Sequence, residues 1–353
     1  VAGFDDFVTL LSCKDFRRDD LGVSAPTLYR YIDALREKIE KGGWFAKHMS
    51  FRHPVGVRNI VARFRDKELA RKLASLPLKR LGNKYLEEMG IPLAWYTEVI
   101  DIVAGGQIII SWYLPNGVDP GEIYGRYERR GEVFYAFKIP VYTCRPNPGP
   151  EDIPVLGKTA RRLLSLAHTR LRLRTPLIAY VIMAILDRLK LITINEMAKI
   201  PAALKARDIE DVITTSEDFR KKYIMKYYNL LSENMVVGRY RVVKKDFIWR
   251  SVTMLLESRP DDLEEVYGFL ATTGSAAHMY VSENTLVATI RLDYGMVLRY
   301  RGLLQELGTV YLATRVLSYP FPYELYDPVS DAWRRHPVEK VTELFRKLGL
   351  VKR

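Results

Sequence analysis

The sequence predicts an α+β chain in which two winged helix-turn-helix domains alternate with two ferredoxin-like βαββαβ domains. Three observations predict it. A capped amphipathic helix near the amino terminus is followed by a Gly-Gly stop and a β-rich run. A strand-helix-strand-strand-helix-strand periodicity comes next, and the whole plan then recurs roughly 190 residues later. The boundaries that follow are 1–50, 51–145, a Pro-rich and basic linker at 146–175, 176–246, 247–320, and a tail at 321–353 with a short helix.

The organising stretch begins at Ser24-Ala25-Pro26-Thr27, a hydroxyl cap followed by proline in the first helical turn. Leu28, Ile32, Leu35 and Ile39 then recur at steps of four, three and four, a single buried stripe. Gly42-Gly43 ends the helix, and Trp44 to Phe51 reads as a short ribbon. Upstream, Phe7, Leu10 and Leu11 mark one amphipathic helix and Phe16 to Leu21 a second, shorter one. In a winged helix-turn-helix the third helix enters the major groove of DNA. The expected contact set here is therefore Ser24 at the cap, with Thr27, Arg30, Tyr31 and Arg36 on the outward side. Residues 1–56 hold nine Lys/Arg against eight Asp/Glu, so this module is nearly neutral, and the same frame also serves protein docking.

Charge argues for a polyanion elsewhere in the chain. The net charge is +13, and it concentrates in residues 57–90, 151–174 and 176–246, whereas 247–353 balance at thirteen of each sign. Double-stranded DNA is the expected partner. The longest apolar run, Pro176 to Leu186, falls short of the ~20 residues a membrane span needs, so no membrane association is expected. Two cysteines, Cys13 and Cys144, suit a reducing compartment, and a cytoplasmic protein without cofactor or metal is expected. The chain has only two glutamines and many tyrosines and ion-pairing residues, a thermophile pattern.

The first βαββαβ run is read as a strand at 57–64, a helix at 66–75, strands at 95–103 and 107–114, a helix at 121–130 and a strand at 133–143. Ala104-Gly105-Gly106 supplies the hairpin turn between its middle strands. The three prolines in 145–150 cannot continue helix or strand and mark the boundary. A basic amphipathic connector follows, carrying Lys158, Arg161 and Arg162.

The second winged unit is read from a capping box at Thr215-Ser216-Glu217-Asp218. Its helix exposes Arg220, Lys221, Lys222 and Lys226, and a wing at 236–243 bears Arg239. These five residues join the expected DNA contacts. The second βαββαβ run spans strand 247–256, helix 261–272, hairpin 277–292, helix 294–307 and strand 310–318.

Ser24-Ala25-Pro26-Thr27-Leu28-Tyr29-Arg30-Tyr31-Ile32-Asp33-Ala34-Leu35 is similar to the recognition helix of the Lrp/AsnC family of prokaryotic transcription regulators. The run from Phe51 to Phe64 likewise resembles that family's crossing from wing into sheet. The resemblance implies dimeric DNA binding, here mimicked within one polypeptide whose two sheets pack together. It also implies a small-molecule effector at the sheet interface and further homo-oligomers. Where effector-binding members carry glycine followed shortly by aspartate, this chain has Gly106-Gln107-Ile108 and, in the second copy, Ser282-Glu283-Asn284. Two alternatives stand beside it. Phe51-Arg52-His53 with Gly56 and Asn59 looks like the histidine-bearing segment of the siroheme decarboxylases, which would make His48 or His53 a proton donor and set Arg52 and Arg58 on substrate carboxylates. The third reading is a protein-docking scaffold.

Overall fold

A computed structural model describes residues 3–11, 18–50, 57–76, 82–141, 148–168, 236–244, 251–273, 278–327, 330 and 332–347. Their elements in chain order are α1 (Phe4–Leu10), a 3-10 turn at Arg18–Leu21, α2 (Ala25–Glu40), β1 (Trp44–Ser50), β2 (Val57–Arg65), α3 (Lys67–Ser75), α4 (Asn83–Glu88), β3 (Thr97–Val103), β4 (Gln107–Pro115), α5 (Gly121–Tyr127) and β5 (Gly131–Pro140). Then come α6 (Ile153–His168), β6 (Val236–Lys244), β7 (Ser251–Ser258), α7 (Leu263–Thr272), β8 (His278–Val281), β9 (Leu286–Asp293), α8 (Tyr294–Arg299), α9 (Arg301–Leu307), β10 (Thr309–Ser318), β11 (Tyr326–Asp327), β12 (Ala332–Trp333) and α10 (Glu339–Lys347).

Strand pairing corrects the expected fold class. Eight strands close into an antiparallel barrel in the order β10-β3-β4-β2-β5-β8-β9-β7. They do not form two free-standing ferredoxin-like sheets packed on one another. The reason lies at the sheet edges, where unpaired N–H and C=O groups call for partners. Strand β5 pairs with β2 through Gly131–Ala136 and continues past them, so that Phe137–Pro140 pair with β8. Strand β10 pairs through Ala313–Ser318 with β3.

The winged helix-turn-helix expectation is corrected in the same way. A wing is a local hairpin, but β1 pairs with β6, from Trp44 opposite Lys244 to Ser50 opposite Val236. Of the second helix expected over Phe16–Leu21, the described residues form a 3-10 turn at Arg18–Leu21, and Phe16 and Arg17 lie outside them. Of the second winged unit, only β6 lies within the described residues.

The chain divides into two compact units. One gathers Val1–Phe51, Phe137–Thr169 and Met235–Val310, and the other Arg52–Ala136, Arg170–Asn234 and Tyr311–Arg353.

In the second of these, β2 is central, paired along its whole length with β4 and through Asn59–Phe64 with β5. Period-2 alternation sends Ile60, Ala62 and Phe64 into the core with Ile100, Ile108, Ile110, Trp112 and Leu114. Asp66 caps α3 by accepting from the Leu69 N–H at 2.9 Å. The β3–β4 hairpin turns at Gly105 and Gly106, whose φ angles of +89° and +79° disfavour any residue with a Cβ. A register shift between Thr97 and Val99 marks a bulge. Beside it, buried Glu98 accepts from Asn59 Nδ2 at 2.7 Å and Ser111 Oγ at 3.0 Å. Buried Asp101 is held by Arg315, with Nε at 2.5 Å and Nη2 at 2.9 Å.

In the first unit, Met254, Leu256, Ala288, Ile290 and Leu292 build the sheet's inner face against α7. The 146–175 segment is more than a linker there. Its helix α6 buries Ala160 and Leu163 against α7 and keeps Lys158, Arg161 and Arg162 exposed, with Arg161 paired to Glu264. The two helices cross closely because both offer glycine. A Cβ on Gly157 would lie 2.3 Å from the Glu264 carbonyl oxygen, and one on Gly268 2.1 Å from that of Ile153.

Among the described residues no helix is long and apolar enough to cross a membrane.

Candidate nucleic-acid interface

The candidate site is the amino-terminal end of α2. Local sequence makes this end rigid and presents it outward. Gly22 takes φ +60° to turn the chain out of the 3-10 turn, and Ser24 adopts the extended backbone of an N-cap. Ser24 Oγ accepts from the Thr27 N–H at 3.4 Å and lies 2.9 Å from Thr27 Oγ1. Thr27 Oγ1 in turn accepts from Arg30 Nη2 at 3.1 Å. Three side chains thus form one hydrogen-bonded line along the first two turns, ending in an exposed guanidinium.

The buried side of α2 anchors this line. Leu35 and Ile39 are buried, as are Phe7, Leu11 and Leu21 from the preceding elements. Phe4 stands edge-on to Tyr31 at 5.8 Å and tilted against Trp44 at 5.9 Å, while Lys38 lies over the Trp44 ring at 5.3 Å. Replacing Ser24 by alanine removes the cap acceptor and is expected to destabilise the helix by about 1 kcal/mol, read as a lower midpoint in urea unfolding.

Charge is distributed along α2 rather than uniform. Within α2 no acid falls in the first turn and none precedes Asp33, while Asp19 and Asp20 stand in the 3-10 turn just upstream. Asp33 sits 3.9 Å from Arg36, and Glu37 pairs with Lys41, whose ammonium holds the Glu37 carboxyl below the ordinary carboxylate range. The acidic residues therefore belong to the middle and carboxy-terminal end, and Arg30 is the first charge met at the amino-terminal end. The partial positive charge of the helix N-terminus adds to it.

The structure sorts the sequence-expected residues. Ser24, Thr27 and Arg30 come together in the line just described. Tyr31 does not join them, because its ring packs against Phe4 and Phe7, at 5.7 Å from the latter. Arg36 is half-buried beside Asp33. Arg220, Lys221, Lys222 and Lys226 lie outside the described residues, as do Arg52 and His53. Arg239 and His48 fall on β6 and β1, with their side chains outside the described set. Arg58 is exposed on β2, its guanidinium 5.8 Å from the Tyr135 ring centroid.

Sequence reasoning missed one residue of this helix end. Tyr29 is 66% exposed beside Arg30. The signal is present in the chain, since the stripe of Leu28, Ile32, Leu35 and Ile39 leaves 26, 27, 30 and 33 on the opposite arc and sets 29 on its flank.

Compared with known proteins, the sequence matches no family model and no curated protein.

Proposed function

We propose that this chain is a sequence-specific, duplex-DNA-binding transcriptional regulator whose reading element is the amino-terminal end of α2. The observation that carries the reading is the Ser24–Thr27–Arg30 line, an exposed arginine held in place at an acid-free helix end. An arginine so held keeps donors for the O6 and N7 acceptors of guanine, the commonest specific contact in the major groove. The net charge of +13 supplies the long-range attraction to phosphate on which most of the affinity rests. The resemblance of residues 24–35 to a recognition helix points the same way.

Selection from a random duplex pool, followed by fluorescence anisotropy across a salt series, tests it. Log K is expected to fall linearly with log salt, at a slope of about −0.9 per phosphate neutralised. Arg30→Ala should weaken the selected sequence by about 1–3 kcal/mol and relax preference at one base pair. A flat salt response with millimolar affinity ends the proposal.

A further inference from the structure

A second surface, in the unit that contains Arg52–Ala136, has its own chemistry. Three elements bring Arg58, Tyr124 and Tyr135 together. Tyr135 lies opposite Ile60 in the β2–β5 ladder, so Arg58, two residues before Ile60, is its diagonal neighbour on the same face. The Arg58 guanidinium sits 5.8 Å from the Tyr135 ring centroid. Tyr124 reaches the same ring from α5, with centroids 6.0 Å apart and planes inclined at 46°. Buried Ile123 and Tyr127 fix α5 on either side of Tyr124. Tyr135 nevertheless stays 44% exposed.

Both the charge and the protonation of this cluster suit an anion with a flat ring. Arg126 and Arg129 are exposed on and just beyond α5. Among the described acids around α5, Glu122 is engaged by Arg335 and Glu132 by Arg63, while Glu128 is a counter-charge close enough to act on Tyr124. Burial, and after it the Tyr135 phenol, pushes the Tyr124 hydroxyl up to about 12; like any phenol it is neutral at pH 7 and sets no negative charge beside a phosphate.

We propose that Tyr135, Tyr124 and Arg58 form a stacking platform for unpaired nucleobases, and that its partner is single-stranded nucleic acid. A base inside a duplex has both faces covered by its neighbours, so an aromatic platform of this kind takes bases that are out of the stack. Stacking supplies sequence-tolerant affinity, and Arg58, Arg126 and Arg129 supply attraction to the backbone. The inference does not depend on α2, because no residue of the platform belongs to the candidate duplex-reading element.

The test measures anisotropy of a labelled oligo(dT) of about 16 nucleotides and of an abasic strand of the same length. Tyr135→Ala should weaken oligo(dT) binding roughly tenfold, while Tyr135→Phe binds as the wild type does. The abasic strand should bind weakly and be indifferent to Tyr135→Ala. Arg30→Ala should leave oligo(dT) binding intact, which separates this platform from the duplex reader. Circular dichroism of each variant confirms folding. Equal losses on oligo(dT) and the abasic strand, no loss with Tyr135→Ala, or no oligo(dT) binding by the wild type overturns the proposal.

Discussion

Replacing Arg315 by alanine is expected to destabilise the fold by about 3–5 kcal/mol, the largest loss anticipated from any single side-chain truncation here. Asp101 is 1% exposed, and Arg315 holds both of its carboxylate oxygens across the β3–β10 pairing. Once the guanidinium is gone, a buried carboxylate must either stay charged without its bidentate partner or take up a proton. Both outcomes cost free energy. The net worth of an intact buried pair against an apolar one is much smaller, since burying two charges offsets most of their attraction. The double variant Asp101→Leu with Arg315→Met should therefore recover most of the loss. Urea unfolding of the wild type, the single variant and the double variant checks this. A single variant within about 1 kcal/mol of wild type would show that Asp101 does not depend on Arg315.

Gly268→Ala is expected to destabilise by about 1–3 kcal/mol or more, because the added methyl meets backbone rather than a side chain that can swing away. Its Cβ would lie 2.1 Å from the Ile153 carbonyl oxygen and 2.9 Å from the Ile153 carbonyl carbon, so α6 must lift off α7. Gly157→Ala, facing the Glu264 carbonyl from α6, should act in the same direction. The same substitution has the opposite sign elsewhere. At Gly125 in α5 and Gly302 in α9 an added methyl would meet nothing within 4 Å, and alanine there should stabilise by about 0.4–1 kcal/mol by restricting the unfolded chain. Thermal melts of the four alanine variants separate close helix packing from a general intolerance of alanine.

Local order was legible in the sequence, and long-range pairing was not. Helix α2 begins and ends where the Ser24 cap and Gly42-Gly43 place it, and Gly105 and Gly106 take the positive φ their hairpin needs. The helix read as continuous over 294–307 is in fact two, α8 and α9, separated at Tyr300. Helix α4 was missed because six residues give too little periodicity to register. The larger errors concern edges. Nothing in the side chains of Phe137–Pro140 marks them as partners of His278–Val281, since a ladder is built from main-chain groups that every residue shares. The expectation of two separate sheets followed from treating each strand run as self-sufficient. At the candidate site, Ser24, Thr27 and Arg30 were found from cap and face, whereas Tyr31 was assigned outward only because Phe4 and Phe7 could not be placed against it.

The pairing of β1 with β6 also bears on how the chain is made. Trp44 leaves the ribosome about 200 residues before Lys244, its opposite number. At a synthesis rate of about 5–20 residues per second, β1 waits roughly ten to forty seconds for its ladder. Strand β3 waits about as long for β10. During that interval the nascent chain carries two strand edges open to any passing polypeptide, so holding chaperones should raise the yield of correctly folded protein and slowed elongation should lower it.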